Sequence, residues 1–181
     1  MTRFGYVMAT YFAAIGVAAA AVIPNSLKLV WNVSASAPIG LYRIEPAERL
    51  EVPDLVAVMP PEPLEDFMVE RGYIGRDVPI LKRVLGQPGQ RVCRTGHVIT
   101  VDGIAMGDAR DHDRLDRPLP VWSGCRVVAD DELFLMNWQV PDSLDGRYFG
   151  PLPATTVIGR AIPLYTDEDG TGRFVWRAPM R

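Results

Sequence analysis

Asn32-Val33-Ser34-Ala35-Ser36-Ala37-Pro38-Ile39-Gly40-Leu41-Tyr42 divides the chain into two unlike parts. Before it lies an apolar segment. After it the sequence breaks into short apolar runs punctuated by Gly, Pro and Asp, the texture of a mainly β domain. Within the stretch two serines alternate with small residues, and a proline and a glycine follow. Ala35 and Ala37 leave room for another chain to approach, Pro38 stiffens the backbone, and Gly40 allows a turn that other residues resist. The same composition also describes an ordinary linker. What flanks it decides between the two.

Upstream, Phe4 to Ile23 holds twenty residues without a charge. As a helix it would be about 30 Å long, the thickness of a bilayer's hydrocarbon core. Arg3 precedes it, Pro24-Asn25-Ser26 closes it, and Tyr6 and Tyr11 suit a membrane interface. Three readings stay open: a membrane anchor, a cleaved export signal, or a helix buried in a soluble protein. Arg3 and Lys28 flank the two ends, so charge does not set an orientation. Either of the first two readings carries the rest of the chain to or across a membrane. The expected organisation is a membrane or signal segment over residues 1–26 and one domain over 27–181.

With 181 residues, 48% of them hydrophobic, the chain can bury one sizeable core. A net charge of −3 argues against nucleic acid as a partner, because such binders carry a basic footprint. His97 and His112 are the only histidines, both in polar surroundings and out of metal-ligand spacing with the cysteines, so neither metal nor cofactor is expected. Strands are expected at 41–44, 55–59, 79–84, 92–101, 125–129, 132–137, 157–165 and 173–177. Asp102-Gly103 marks a hairpin turn into Ile104–Met106, and Pro61 to Arg71 a short helix with prolines in its first turn. Asp108 to Pro120, rich in Asp and Arg, reads as a solvated loop or mobile lobe. Cys93 and Cys125 are permitted to bond if the domain is exported; a pair of buried thiols is the alternative.

Two further stretches bear on chemistry. Of the 19 Lys plus Arg, only Lys28 and Lys82 are lysines. Lys82 sits in Ile80-Leu81-Lys82-Arg83-Val84-Leu85-Gly86-Gln87-Pro88-Gly89, where an ammonium is expensive to bury. A lysine kept there suggests a task that arginine cannot perform, namely losing its proton. An edge lysine reaching to water is the plainer alternative. A neutral lysine amine can serve as base to a serine hydroxyl, which is a poor nucleophile until its proton is removed. In Ser143-Leu144-Asp145-Gly146-Arg147-Tyr148-Phe149-Gly150, Asp145 and Arg147 are close enough to pair across a turn, and Ser143 could direct its hydroxyl at an amine.

Taken in this order, the three stretches resemble the bacterial type I signal peptidases, membrane-bound Ser/Lys enzymes. The Lys-Arg-Val-x-Gly-x-Pro-Gly run matches that family's lysine box and implies Lys82 as general base. The stretch from Ser143 to Gly150 matches its carboxy-terminal box, implying that Ser143 orients the lysine while Asp145 and Arg147 form a supporting ion pair. Ser36 falls on the nucleophile. Ser34 falls on the hydroxyl that completes an oxyanion hole with the Ser36 N–H. Housekeeping members have Ser-Met-x-Pro, whereas here Ser36-Ala37-Pro38-Ile39-Gly40-Leu41-Tyr42 stands; Gln90 replaces an Asp and Gly146 a Ser. These departures and the compact length are similar to the TraF-type conjugal transfer peptidases, a branch of the same family. That branch implies a pilin precursor as substrate, cleaved and in some members closed into a ring, with the bilayer and the conjugative machinery as partners. The implied location is the inner membrane with the domain in the periplasm. A general signal peptidase and a non-catalytic assembly factor are the alternatives.

Overall fold

In a computed structural model of the chain, residues 3–22 and 29–179 are described. The uncharged amino-terminal run forms α1, Arg3–Val22, and its apolar side chains Phe4, Tyr11 and Phe12 are exposed. Among the described residues no helix is long and apolar enough to cross a membrane. The expected boundary between residues 26 and 27, and the closing Pro24-Asn25-Ser26, lie outside the described residues.

The remainder is mainly β. In chain order the strands are β1 Leu29–Asn32, β2 Ile39–Glu45, β3 Leu55–Val58, β4 Ile80–Gly86, β5 Arg91–Thr95 and β6 Val98–Val101. They continue as β7 Ile104–Asp108, β8 Gly124–Val127, β9 Glu132–Leu135, β10 Leu152–Pro153, β11 Val157–Asp167 and β12 Val175–Trp176. The larger sheet runs β1-β2-β11-β3-β4-β9-β10, with β12 paired to β11. The smaller runs β7-β6-β5-β8. Helix α2, Glu62–Glu70, links β3 to β4. Its Leu64, Phe67 and Met68 pack on Val56, Val58, Ile80 and Val84, because apolar residues three and four apart share one helix face. Phe134 and Met136, on and just after β9, join a second core with Val92, Ile99 and Val101 that holds the smaller sheet against the larger.

Two local readings are refined. The apolar run 92–101 is a hairpin and not one strand: Gly96, at φ 61°, turns the chain between β5 and β6. Asp102 and Gly103, at φ 48° and 83°, make the expected turn between β6 and β7, where both central residues need a left-handed backbone. Gly40 serves a different purpose from a turn. It lies within β2, and a Cβ there would overlap the Tyr165 carbonyl oxygen of β11, so glycine permits the close approach of two strands.

Cys93 and Cys125 face each other across β5 and β8 and form a disulfide. The loop it closes contains Asp108 to Pro120. In the chain-entropy account a cross-link over a loop of this length stabilises by ~3–4 kcal/mol. A Cys93→Ser/Cys125→Ser variant should therefore unfold in urea with its stability lowered by about that amount. An unchanged midpoint would contradict this.

Candidate active site

The serines occupy the tip of the β1–β2 hairpin, in the loop between Asn32 and Ile39. That loop is braced from within. Asn32, buried at the end of β1, donates from Nδ2 to the carbonyls of Ser34, Ala37 and Pro38 and accepts the Ser34 N–H on Oδ1. Tyr42 adds a hydroxyl donated to the Pro38 carbonyl at 2.7 Å. With its carbonyls held, the loop presents Ser34 and Ser36 together: their hydroxyl oxygens lie 3.0 Å apart, and the Ser36 N–H reaches Ser34 Oγ at 3.3 Å.

Lys82 leaves β4 on the same face as Ile80 and Val84, since side chains alternate along a strand. That face packs against α2, so the lysine is 4% exposed. Burial among apolar groups brings its pKa down from 10.5 to about 8. The Asp145 carboxylate opposes this shift and the Arg147 guanidinium adds to it. Lys82 Nζ donates to Ser143 Oγ at 2.9 Å. The edge-lysine alternative, with its amine in water, does not describe this side chain.

Ser143 is presented by the loop after β9. Its shape comes from Asp145 and Arg147, both fully buried: Arg147 Nε and Nη2 each donate to the Asp145 carboxylate at 2.9 Å. The remaining guanidinium donors satisfy the carbonyls of Asn137, Val140 and Pro141. Asp145 also caps the one-turn helix α3, Gly146–Phe149, by accepting the Arg147 N–H. Gly146, standing where the resembled family has serine, is fixed by packing. A Cβ there would lie 2.6 Å from the Phe134 ring and 2.7 Å from the Leu135 carbonyl oxygen. Gln90, the other departure, ties its own turn to Asp102 through a donated hydrogen bond of 2.8 Å.

Ser34, Ser36, Lys82 and Ser143 open into one cleft of about 700 Å³, with Trp31, Ile74 and Leu144 among its apolar walls. The structure thus gathers four of the expected side chains at one cavity. It places Asp145 and Arg147 behind Ser143, and the disulfide at the smaller sheet. Among the described residues no hydrogen bond joins Ser36 Oγ to Lys82 Nζ; each is paired with another serine.

Asp108 to Pro120 is a loop with most of its residues exposed, in line with a solvated insertion, but it is tethered to the rest of the domain. Asp113 accepts the Tyr73 hydroxyl and the Arg117 guanidinium, Arg71 donates to the Pro118 carbonyl, and Arg114 pairs with Asp142, next to Ser143. These contacts make the segment a wall of the cleft. Sequence reasoning also passed over Asn32 and Asn137. The available signal was a polar amide at the end of an apolar strand, since a buried amide must find partners.

Comparison with known proteins follows the same lines. Residues 1–165 match the family model described as signal peptidase, peptidase S26. The conjugal transfer protein TraF of Agrobacterium fabrum (strain C58 / ATCC 33970) is 36% identical over 147 residues, covering 75% of this chain and 81% of that protein. A plasmid transfer protein TraF of Escherichia coli is 32% identical over 179 residues, covering 92% and 99%. Among solved structures, a signal peptidase I from Enterococcus faecalis V583 aligns with a TM-score of 0.36 at 19% identity, over 65% of this chain and 97% of that one.

Proposed function

Because this chain belongs to the signal peptidase, peptidase S26 family, we propose that it is a serine endopeptidase of conjugation in which Ser36 is the nucleophile and Lys82 its base. The observation that carries this reading is the convergence of a serine hydroxyl and a buried, weakly basic lysine on one apolar-walled cleft. In the proposed reaction neutral Lys82 takes the Ser36 proton as Oγ adds to the scissile carbonyl. The oxyanion is received by the Ser36 N–H and the Ser34 hydroxyl; the N–H, which without substrate donates to Ser34 Oγ at 3.3 Å, exchanges that bond for the oxyanion. Protonated Lys82 then gives its proton to the leaving amine, and an acyl group remains on Ser36. Water releases a linear chain; an amino terminus of the substrate itself would release a ring.

The substrate we propose is a pilin precursor, as the resemblance of the serine stretch and the two boxes to the TraF-type peptidases implies; the relatives, named for conjugal and plasmid transfer, support a role in conjugation. The proposed setting is the outer face of the inner membrane, among the conjugative transfer machinery. The uncharged run Phe4 to Ile23 supports attachment there, although part of it lies outside the described residues. A stacked aromatic group beside β1 also supports a bilayer as partner: Trp31 and Tyr165 flank Phe174 at 6.0 and 5.1 Å, and Trp176 lies 4.9 Å from Tyr165. Trp31 and Trp176 are exposed, as suits aromatic rings at a membrane interface.

Co-expression with a pilin precursor, followed by intact mass measurement, tests the reading. Wild-type protein should shorten the precursor and Ser36→Ala should leave it full length. A cyclic product would weigh about 18 Da less than the linear one, the water that aminolysis of the acyl-enzyme does not consume. Processing by Ser36→Ala equal to wild type would overturn the assignment and favour a non-catalytic assembly role.

A further inference from the structure

We infer that Asn137 is a positioning residue for this reaction, setting through its side-chain amide how the Ser36 loop sits against the strand that carries Lys82. The inference rests on the Ser36–Lys82 reading above. Asn137 follows β9 and is 4% exposed. Its Nδ2 donates to the Ser36 carbonyl at 2.6 Å and to the Leu81 carbonyl at 3.1 Å. Its Oδ1 accepts the Arg83 N–H at 2.9 Å. One amide therefore grips the main chain on both sides of Lys82 and the main chain of Ser36 itself.

Nucleophile and base come from segments 46 residues apart, on a hairpin tip and on strand β4. β1 and β4 are not neighbours: β2, β11 and β3 stand between them in the sheet. No strand pairing sets the distance between the two groups, so it depends on a bridge across the cleft floor. Asn32 makes the hairpin tip rigid, but all its bonds stay within the tip. Asn137 bonds both sides. Its own main chain is pinned in turn: its N–H is donated to Asp145 at 3.0 Å and its carbonyl accepts from Arg147 at 2.9 Å. The buried ion pair thus supports two arms, Ser143 to the lysine amine and Asn137 to the serine backbone.

Asn137→Ala removes the bridge, and Asn137→Asp keeps its shape and the acceptor for Arg83 while losing both amide donors. In each, kcat for a cleaved peptide should fall about 100-fold, the size of effect a displacement near 1 Å produces, with KM within about threefold. The pH midpoint of kcat/KM in Asn137→Ala should stay at the wild-type value, because the lysine's own surroundings are intact. Amide hydrogen exchange of residues 33–38 should quicken about tenfold or more while β4 stays protected. A merely structural role predicts a lower melting temperature with wild-type kcat per folded molecule, and that result, or unchanged exchange at 33–38, overturns the inference. If wild-type cleavage proves independent of Ser36, the peptidase reading fails, and the exchange comparison alone decides whether Asn137 holds the loop.

Discussion

Lys82→Met should lower peptide cleavage by roughly 10³-fold while leaving the protein more stable than wild type at neutral pH. The two effects have one origin. Methionine fills the space of the lysine stem but cannot accept a proton. In the wild type, burial holds the amine's pKa at about 8 against an ordinary 10.5. At pH 7 about one molecule in ten then carries the neutral amine, where an ordinary lysine would offer fewer than roughly one in a thousand. Folding must also hold a buried ammonium below pH 8, which costs on the order of 3 kcal/mol. The sign follows from proton binding. Between pH 8 and 10.5 the unfolded chain holds the proton and the folded one does not, so stability rises with pH across that window. Below it the full penalty stands. Methionine removes the penalty and leaves the Ser143 hydroxyl without its partner, so the net gain is smaller than 3 kcal/mol.

Wild-type kcat/KM should accordingly climb about tenfold per pH unit up to pH 8 and level above it, and denaturant midpoints compared at pH 7 should favour Lys82→Met. A flat profile between pH 6 and 9 would remove Lys82 as the base. So would a methionine variant that still cleaves.

Much of this was legible in the residues, and what was not has physical reasons. Lysine scarcity and the apolar run around it drew attention to Lys82, but that run left an edge lysine reaching water equally open; only the packing of β4 against α2 shows the side chain buried. The hairpin at Asp102-Gly103 was readable because its two residues have a strong local preference. β1, β10 and α3 were not, being four residues or fewer and stabilised by what they pack on rather than by their own sequence. Gly40 was read as a turn because composition cannot tell a positive φ from the approach of another strand; only the position of Tyr165 does. The docking of Asp108 to Pro120 was hidden for a similar reason. Its Asp and Arg side chains look solvated in a window of thirteen residues, but their partners Tyr73, Arg71 and Asp142 lie far away in the chain. Asn137 was hidden the same way, since its three bonds go to residues 54 to 101 positions distant.

Asp145→Ala should cost about 3–5 kcal/mol of stability, because it strands a guanidinium that is 1% exposed. Arg147 would keep the carbonyls of Asn137, Val140 and Pro141, which holds the loss to that range, but no anion would remain beside it. Asp145→Asn separates charge from shape. The two main-chain donors, Asn137 N–H and Arg147 N–H, bond different oxygens of Asp145, so an asparagine can keep one of them and loses the other; the loop should still keep its form better than with alanine. What changes is the field at Lys82. Asp145 favours the protonated amine and Arg147 disfavours it, so neutralising the carboxylate leaves only the lowering influence. The pKa of Lys82 should fall below its wild-type value of about 8, the neutral fraction at pH 7 should rise, and the midpoint of the pH–rate profile should move to lower pH. Any loss of kcat then reports geometry rather than charge, because more of the amine is in the neutral, proton-accepting form. A midpoint that moves to higher pH would mean that the carboxylate does not act on the lysine through its charge. An alanine variant within 1 kcal/mol of wild type, the range of an exposed ion pair, would mean that the pair is not the keystone of the loop presenting Ser143.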